Sequence, residues 1–461
     1  MFSEEMFKNR ISIDNPWWQT GCIDQEYRDV SPRIFLDTLY RHLLMDGLRR
    51  AIVLMGPRRV GKTWLLQHAI NKLLLEQNVK PQNIIFLPID VPVYHNSELE
   101  ELVYAASKIS GANPRTDRMY VFFDEIQYRK NWETSLKTLT DSYSNIKFVA
   151  SGSAASVLLK GARESGAGRF TDLTLTPLTF YEYVGMIGQD ENILESIDQT
   201  NRMFLDYVNF GGYPELVANA NVRNNAKQFI RRDIVDKVLL RDLPSLYHID
   251  DVRDLQAFFS YVAYHSGMVQ SYEGLSQGTG ISKHTVSKLV QYLEDSFLIA
   301  KLDRVDINAL SLKRATQFKL YLTNPSLRAS MFQAVKSNED QNFGYVIETA
   351  VAAQLGIEDL RQDWRYANWR VSKKQGELDF VKIDAGRQKP IEAFEVKWSD
   401  GPFDHPAELN EAVKFAQSNG LNKITVTSKT EKGTKYVDNV ELSFIPTAHF
   451  AYNLGKTLLS K

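Results

Sequence analysis

The chain has 461 residues, too many for one ordinary core, and at about 150 residues per domain we expect about three domains. Its net charge of −1 excludes a basic field over the whole molecule, so any nucleic-acid contact must come from local patches. The single cysteine, Cys22, excludes an intramolecular disulfide framework and fits a reducing cytosol. No apolar run approaches the ~18 residues of a membrane span, so we expect a cytoplasmic protein.

Residues 1–50 are predicted to be mostly helical. Pro32 stands where a helix can begin, and apolar residues then recur at roughly helical spacing, at Ile34, Leu36, Leu39, Leu43 and Leu44. The Pro16-Trp17-Trp18 cluster has two interpretations, packing on the core that follows or contact with a ligand bound there. Core packing is the favoured one.

A phosphate-binding motif comes next. Ala51–Met55 is an apolar run that predicts a buried strand, residues 56–63 (GPRRVGKT) fit G-x-x-x-x-G-K-[ST], and residues 64–76 continue as a helix. The order of strand, glycine loop and helix predicts a nucleoside triphosphate site, because backbone N–H groups at a helix N-terminus attract phosphate. Lys62 would reach the β- and γ-phosphates, and the Thr63 hydroxyl would bind Mg²⁺. The predicted nucleotide contacts are Gly56, Pro57, Arg58, Arg59, Val60, Gly61, Lys62, Thr63 and Trp64.

Two acidic residues follow a later apolar strand. Residues 83–89 predict another short strand and residues 97–109 a helix, and then MYVFFDEIQ (119–127) runs directly into Asp124 and Glu125. This is the Walker B arrangement, in which Asp124 would hold Mg²⁺ and Glu125 would orient or deprotonate the attacking water. The alternative is that the acidic pair only caps the next helix. The preceding phosphate loop favours the functional interpretation.

The next predicted strand, residues 146–153 (IKFVASGS), ends in small hydroxyl residues. In ATPases with an added strand between the phosphate loop and Walker B, this strand carries a polar sensor of the γ-phosphate. Ser151 and Ser153 both fit that role, and the sequence does not decide between them. Ser153 is included among the predicted nucleotide contacts.

A glycine-rich charged loop, residues 160–170 (KGARESGAGRF), follows that strand. It is the expected place for an arginine that completes the catalytic site of a neighbouring subunit by offsetting charge on the transferred phosphoryl group. Arg169 is the first candidate and Arg163 the second. A solvated loop arginine is the alternative for either.

These motifs resemble those of bacterial and archaeal AAA+ ATPases in which a restriction-endonuclease-like domain follows the ATPase. The resemblance rests on GPRRVGKT (56–63), FFDEIQ (122–127), VASGS (149–153), ESGAGR (164–169), LTPLTFYEY (175–183) and GGYPE (211–215). It implies ATP and Mg²⁺ as cofactors, a homo-oligomeric ring or cluster, and a winged helix after the ATPase core. The substrates of this group are mostly undefined.

The predicted fold class is α/β, with a P-loop AAA+ ATPase core and three further parts. The expected boundaries are 1–180 for the core, 181–265 for a helical lid, 266–310 for a winged helix and 311–461 for a restriction-endonuclease-like domain. Within the lid, residues 226–242 form a basic helix carrying Arg231, Arg232, Lys237 and Arg241. A solvated helix face is favoured over a partner or DNA contact.

Residues 266–310 fit a winged helix. Residues 271–280 would form the first helix and turn, Ser282 would cap a second helix, and residues 297–305 would form a wing strand. As a DNA reader, this module would present Lys283, His284, Ser287 and Lys288 to the major groove. Winged helices also bind proteins, and both interpretations stay open.

The C-terminal part carries a second chemical pattern. Asp379 on one predicted strand and Glu395-Val396-Lys397 on the next form the PD-(D/E)XK nuclease pattern, and Glu348 on a preceding helix matches the additional acid of such nucleases. Asp379 and Glu395 would hold Mg²⁺, and Lys397, on the same strand face as Glu395, would activate water or stabilise the phosphate. The alternative is a hairpin whose acids and lysine face solvent.

Two functions follow from these patterns. The first is an oligomeric ATPase that acts on nucleic acid, DNA in the first place, and licenses Mg²⁺-dependent cleavage by the C-terminal domain. The second is a regulatory switch in which ATP changes the assembly state, while the C-terminal domain only docks DNA or a partner protein. ATP hydrolysis is expected in both.

Overall fold

The computed structural model describes residues 4–45, 47, 49–95, 97–153, 168–249, 251–309, 316–336, 342–371, 374–384 and 386–460. The chain divides into two compact units, Met1–Leu175 and Thr176–Lys461. Among the helices of these residues, none is long and apolar enough to cross a membrane.

The first unit is built on a five-stranded sheet in which every pair is parallel. Its strands are β1 (Ala51–Met55), β2 (Ile84–Pro88), β3 (Met119–Asp124), β4 (Ile146–Gly152) and β5 (Phe170–Thr174), in the order β2-β3-β4-β1-β5. Every residue of β1, β3 and β4 is buried, which explains why these strands are continuous apolar runs in the sequence. The predicted α/β class is therefore confirmed for this unit.

The helices of the first unit agree with the predicted pattern. They are Glu4–Asp14, Trp17–Thr20, Gln25–Arg28, Leu36–Leu44, Lys62–Glu76, Leu99–Ser110 and Trp132–Ser142, with 3-10 turns at Pro81–Asn83, Pro92–Tyr94 and Ile126–Tyr128. The helix expected to begin near Pro32 begins at Leu36. The described part of residues 1–50 is mostly helical, as predicted.

The N-terminal segment covers the edge strand β2. The Asn15 side chain accepts from Phe86 N at 2.6 Å and donates to Phe86 O at 2.9 Å. The indole N–H groups of Trp17 and Trp18 both donate to Ile84 O, at 3.1 and 2.8 Å. The tryptophan cluster thus packs on the sheet, which is the favoured of its two interpretations.

The second unit contains a nine-stranded mixed sheet. Its strands are β6 (Val269–Ser271), β7 (Ile299–Val305), β8 (Gln317–Leu322), β9 (Trp364–Val371), β10 (Lys374–Asp384), β11 (Lys389–Glu395), β12 (Lys423–Ser428), β13 (Gly433–Val437) and β14 (Val440–Pro446). Their order is β13-β14-β12-β11-β10-β9-β7-β8-β6.

Several described helices of the second unit pack against this sheet, among them Asn410–Asn419 and Thr447–Leu459. The α-helices are Phe180–Met186, Ile197–Phe210, Pro214–Ala218, Ala220–Asn224, Ala226–Phe229, Leu243–Tyr247, Val252–Tyr264, Tyr272–Thr279, Lys283–Asp295, Ser326–Met331, Phe343–Ala352, Ile357–Gln362, Gly401–Asp404, Asn410–Asn419 and Thr447–Leu459. Glu191–Glu195, Ala353–Leu355 and Pro406–Leu409 are 3-10 turns, and Ile230–Asp236 and Val238–Asp242 are π-helical. The described part of residues 180–265 is almost entirely helical, as predicted.

The expected boundary between residues 310 and 311 falls inside one sheet. Strand β7 pairs with β8 in antiparallel register and with β9 in parallel register, so the strands before and after the boundary are hydrogen-bonded neighbours. The four-part division of the chain therefore remains a prediction.

One local prediction in the C-terminal part is wrong. The strand expected over residues 391–398 ends at Glu395, and Lys397 lies beyond it. The physical reason is that the next two amides bond to side chains: Val396 N donates to Asp379 Oδ2 at 3.0 Å, and Lys397 N donates to Thr427 Oγ1 at 2.8 Å. Strand pairing therefore does not set the direction of Lys397.

Candidate functional site

The phosphate loop leaves the carboxyl end of β1 and leads into helix Lys62–Glu76. Gly56 allows the close packing of this loop, because a Cβ atom there would lie 2.2 Å from Leu175 O. Gly61 enters the helix with a φ of 91°, in the left-handed region that favours glycine. The first backbone N–H groups of the helix therefore lie beside the loop, where they can bind an anion.

Lys62 is buried and its ammonium lies over the loop. Lys62 Nζ donates to Gly56 O and to Pro57 O, at 3.0 Å each. Since few water molecules reach this charge, its attraction for a phosphate is screened much less than at the surface.

Three elements bring polar side chains to the carboxyl edge of the first sheet. Thr63 Oγ1 donates to Asp124 Oδ2 at 2.6 Å, and Ser151 Oγ donates to Asp124 Oδ1. Burial, reinforced by the charge of Glu125, raises the pKa of Asp124 to about 6 although the Ser151 and Thr63 hydroxyls oppose the shift. A hydroxyl and a carboxylate in contact are hard oxygen donors of the kind Mg²⁺ prefers, so these residues fit that ion.

Glu125 begins the turn after β3 with a φ of 51°. Its backbone N–H donates to Ser151 Oγ at 3.2 Å, and its carboxylate accepts from Gln127 Nε2. Gln127 Nε2 also donates to Ser153 Oγ at 3.0 Å. Both candidate sensor serines thus reach the acidic pair, Ser151 directly and Ser153 through Gln127, to which sequence reasoning assigned no role.

The other predicted nucleotide contacts lie around the loop. Arg58 Nη2 donates to the Tyr128 hydroxyl at 3.2 Å. The carbonyl oxygen of Val60 accepts from the buried Arg33 guanidinium at 3.0 Å. Arg33 belongs to the N-terminal segment and was not singled out from the sequence. Arg59 adopts a φ of 63°.

Helix Gln25–Arg28 packs beside the same loop. The Tyr27 and Trp64 rings meet edge to face, with centroids 4.9 Å apart. The carbonyl oxygen of Tyr27 also contacts His68 Nε2 at 2.7 Å. Tyr27 is thus a neighbour of Trp64, one of the predicted nucleotide contacts, and was not singled out from the sequence.

Arg169 lies away from the phosphate loop of its own chain. It directly precedes β5, and its carbonyl oxygen accepts from Ala51 N at the amino end of β1. The loop leaves the opposite end of that five-residue strand, about 17 Å away at the usual rise per residue. Arg169 Nε instead donates to Asp141 Oδ1 at 2.5 Å. The second candidate, Arg163, is outside the described residues.

The second unit brings the four predicted nuclease residues together. Asp379 on β10 and Glu395 at the end of β11 are linked, since Asp379 N donates to Glu395 Oε2 at 3.1 Å. Lys397 Nζ donates to Glu395 Oε1 at 2.7 Å. Glu348, on helix Phe343–Ala352, reaches the group through a buried lysine, Lys319 on β8.

Lys319 was not singled out from the sequence, yet it is the centre of this site. Its ammonium nitrogen lies 2.7 Å from Glu348 Oε1, 2.8 Å from Glu377 Oε1 and 3.1 Å from Asp379 Oδ1, and its side chain is 1% exposed. Tyr321 also donates to Glu348 Oε1. The sequence does contain an indication of its importance, because a lysine within the apolar run QFKLYL is unusual for a buried strand.

We call Glu348, Glu377, Asp379 and Glu395 with Lys319 and Lys397 the carboxylate cluster. Burial raises the pKa of Glu348 to about 8 and that of Glu395 to about 7, and the charge of Asp379 adds to both shifts. The pKa of Asp379 is lowered despite burial, because Lys319 and Lys397 lie close to it. Within the described ranges, no group of three or more His, Cys, Asp or Glu residues is arranged to hold a metal ion.

Residues 48–184 match the model of a protein family described as "AAA domain". The matched segment spans all five strands of the parallel sheet, the phosphate loop and the Asp124-Glu125 pair. This part of the chain is an AAA domain. The sequence-based resemblance to AAA-type ATPases is thereby confirmed for the first unit, and nucleotide binding is implied.

A second family model matches outside the AAA domain. Residues 201–338 match a family described as "Domain of unknown function (DUF8612)". The segment includes β6, β7 and β8 and therefore Lys319. The helical lid, the winged helix and the restriction-endonuclease-like domain remain predictions.

Three relatives resemble the chain over most of its length, although they share only about a quarter of their residues with it. A protein of Haemophilus influenzae named "Uncharacterized protein" is 23% identical over 403 residues, which are 85% of this chain and 92% of that protein. Two uncharacterized proteins of Methanocaldococcus jannaschii are 24% and 25% identical, over 82% and 81% of this chain and 84% and 82% of their own. Since these alignments cover more than four fifths of the chain, they include parts of both units.

Two solved structures also resemble the chain. The Walker-type ATPase PABY2304 of Pyrococcus abyssi has a TM-score of 0.41 and 14% identity, covering 66% of this chain and 99% of its own. The ORC2 protein of Aeropyrum pernix has a TM-score of 0.38 and 15% identity, covering 64% and 91%. Neither likeness is strong enough to assign an activity or a partner to this chain.

Proposed function

We propose that this protein is a Mg²⁺-dependent AAA+ ATPase that couples ATP hydrolysis to DNA binding by its second unit. The observation that carries the ATPase part is the 2.6 Å hydrogen bond between Thr63 Oγ1 and Asp124 Oδ2 beside the Lys62 ammonium. It joins the phosphate loop to the acidic strand β3 at one edge of the sheet, where parallel α/β folds bind their ligands.

Each residue of this site has a role in the proposal. Lys62 binds the β- and γ-phosphates, and Thr63 and Asp124 hold Mg²⁺, which would supply positive charge beside those phosphates. Glu125 orients the attacking water and accepts its proton. Ser151 and Gln127 fix the backbone and the side chain of Glu125, respectively.

ATP binding and turnover by Lys62→Ala and Glu125→Gln test the ATPase proposal. We expect Lys62→Ala to lose ATP binding, and Glu125→Gln to bind ATP while its turnover falls about 100-fold or more, because only the proton acceptor is removed. Lys80→Ala, an exposed lysine of the same unit, is the control and should match the wild type. Turnover by Glu125→Gln equal to that of the wild type would contradict the assigned role.

The proposal of DNA binding rests on a pair of helices in the second unit. Helix Tyr272–Thr279 ends at Gly280 in the left-handed conformation, and helix Lys283–Asp295 begins after Ser282, whose hydroxyl accepts from Thr285 N. Strands β6, β8 and β7 lie beside them as an antiparallel part of the nine-stranded sheet. This order of elements supports the winged-helix proposal. The residues proposed to face DNA are all exposed, namely Lys283, His284, Ser287 and Lys288.

Salt-dependent DNA binding tests this surface. We expect Lys288→Glu to weaken binding to duplex DNA about tenfold or more and to reduce the slope of log K against log salt concentration by about 1, since one phosphate contact is lost. Lys432→Glu makes the same charge change at another exposed position of the second unit. Equal affinities of the two variants would show that this helix is not the DNA contact.

The carboxylate cluster favours docking without cleavage as the role of the C-terminal strands, which is the second function expected from the sequence. The observation that favours this role is that the Lys319 ammonium lies within 3.1 Å of three side-chain carboxyl groups. We expect plasmid DNA to stay intact with ATP and Mg²⁺ in the presence of the wild type and of Lys397→Ala. Nicking by the wild type that Lys397→Ala loses would establish the nuclease instead.

A further inference from the structure

The carboxylate oxygens of Asp379 and Glu395 are already occupied by donors from the chain. Asp379 Oδ1 accepts from Lys319 Nζ at 3.1 Å, and Asp379 Oδ2 accepts from Val396 N at 3.0 Å. Glu395 Oε1 accepts from Lys397 Nζ at 2.7 Å, and Glu395 Oε2 accepts from Asp379 N at 3.1 Å. Each of the four carboxylate oxygens of Asp379 and Glu395 therefore already accepts a hydrogen bond from the chain.

The position of Lys319 opposes a divalent cation at this site. Mg²⁺ binds carboxylate oxygens at about 2.1 Å, so at its predicted ligands Asp379 and Glu395 it would lie beside Asp379 Oδ1, which the Lys319 ammonium already contacts at 3.1 Å. The ammonium and a divalent ion would then lie within a few ångströms of each other in a buried site, where their repulsion is strong. The residues present do not fit a Mg²⁺ site.

The backbone holds Lys319 in this position. Lys319 lies opposite Leu302 of β7 on one side and opposite Val269 of β6 on the other. A strand paired on both sides fixes the position of its backbone, and the Lys319 side chain is held by its contacts with three carboxyl groups. Lys319 therefore connects β8, next to the exposed helix pair, to β10 and helix Phe343–Ala352.

We propose that Lys319 is the resident cation of the carboxylate cluster, which joins β8 to the C-terminal strands as a buried ion-pair network and binds no divalent metal. Removing Lys319 leaves several carboxylates without their partner, and a broken buried ion pair is strongly destabilising. The proposal is independent of the ATPase proposal, because its residues all lie in the second unit.

The first test counts bound Mn²⁺ on the full chain by electron paramagnetic resonance, without nucleotide. The protein carries Asp124→Asn, so that the nucleotide site contributes no ion. We expect Asp379→Asn or Glu395→Gln, added to this background, to leave the count unchanged at up to about 1 mM Mn²⁺, where even weak carboxylate sites fill. One ion per chain that either substitution removes would overturn the proposal.

The second test is thermal unfolding of Lys319→Met, which keeps the length of the side chain and removes its charge. We expect its melting temperature to fall by about 5–15 °C. Lys301→Met is the matched control, because Lys301 is partly exposed on the neighbouring β7 and pairs with Asp303 at 3.1 Å. A melting temperature of Lys319→Met equal to that of the control would overturn the ion-pair role, whereas failure to fold would agree with it.

Discussion

Asp124 and Glu348 are both buried carboxyl groups, but different donors hold them. Asp124 accepts hydrogen bonds from two hydroxyl groups, those of Thr63 and Ser151. A hydroxyl can turn its hydrogen away and present oxygen to a cation. Glu348 also accepts from a hydroxyl group, that of Tyr321, but its other donor is the Lys319 ammonium, which has no acceptor to present. At the scale of single residues, the first site is suited to a metal and the second is not.

The pKa of Glu348 predicts a pH dependence of stability. Its folded pKa of about 8 lies above its ordinary value of 4.5, so between these values the unfolded chain releases a proton that the folded chain keeps. The free energy of unfolding therefore falls as pH rises through this window. As pH rises from 5 to 8, we expect the free energy of unfolding to fall less in Glu348→Gln than in the wild type. The difference between the two decreases is expected to be a few kcal/mol at most.

Urea unfolding of the wild type and Glu348→Gln at several pH values measures this difference. Glu408→Gln is the control, since Glu408 is exposed, and its curve should run parallel to that of the wild type. A Glu348→Gln curve that is also parallel would show that Glu348 does not bind its proton more tightly in the folded state.

At the scale of elements, the N-terminal segment protects an open sheet edge. Strand β2 is the outermost strand on its side of the first sheet, and an uncovered edge offers backbone groups to other chains. Asn15, Trp17 and Trp18 satisfy the groups of Ile84 and Phe86 that a further strand would otherwise bind. The segment before the phosphate loop thus has a structural role in the AAA domain.

Replacement of Asn15 tests this role. We expect Asn15→Ala to lower the free energy of unfolding by about 2–4 kcal/mol, because the buried N–H and C=O of Phe86 lose their partners. Ser12→Ala removes only an exposed bond to Lys8 O and should cost little. The check is denaturant unfolding together with hydrogen exchange at the Phe86 amide. An exchange rate unchanged in Asn15→Ala would contradict the prediction.

At the scale of the whole molecule, Arg169 bears on assembly. It lies at the amino edge of the first sheet, opposite the phosphate loop, and its ion pair with Asp141 is largely exposed and hence weak. A catalytic role for Arg169 therefore requires the nucleotide site of another subunit. We propose such a role within a homo-oligomer.

Mixed assemblies test the role of Arg169. We expect Arg169→Ala to bind ATP but to turn it over at least about 100-fold more slowly. When Arg169→Ala and Lys62→Ala are mixed in equal amounts, about a quarter of the interfaces should join an intact Lys62 to an intact Arg169. Activity should recover at these interfaces. Asp141→Asn breaks only the exposed ion pair and should retain full activity. No recovery on mixing would contradict a role in trans.

The residues of the proposed nucleotide site could be predicted from local sequence alone. Lys62 and Thr63 lie six and seven residues after Gly56, and Asp124-Glu125 follows an apolar run, so local spacing describes each half of the site. Parallel strands present their carboxyl ends at one edge, and this rule brings the two halves together without knowledge of the register. The 2.6 Å contact between Thr63 and Asp124 agrees with that expectation.

The composition of the carboxylate cluster, in contrast, became visible in the fold and could not be predicted from the sequence. Glu348, Asp379, Glu395 and Lys397 were recognised from a local pattern, but Lys319 lies 29 residues before Glu348 and 60 before Asp379. Strand order and register bring Lys319 to these acids, and periodicity within a segment does not encode pairing between distant segments. That one ammonium changes the chemistry expected of the site, because it supplies the positive charge that the sequence pattern assigned to Mg²⁺.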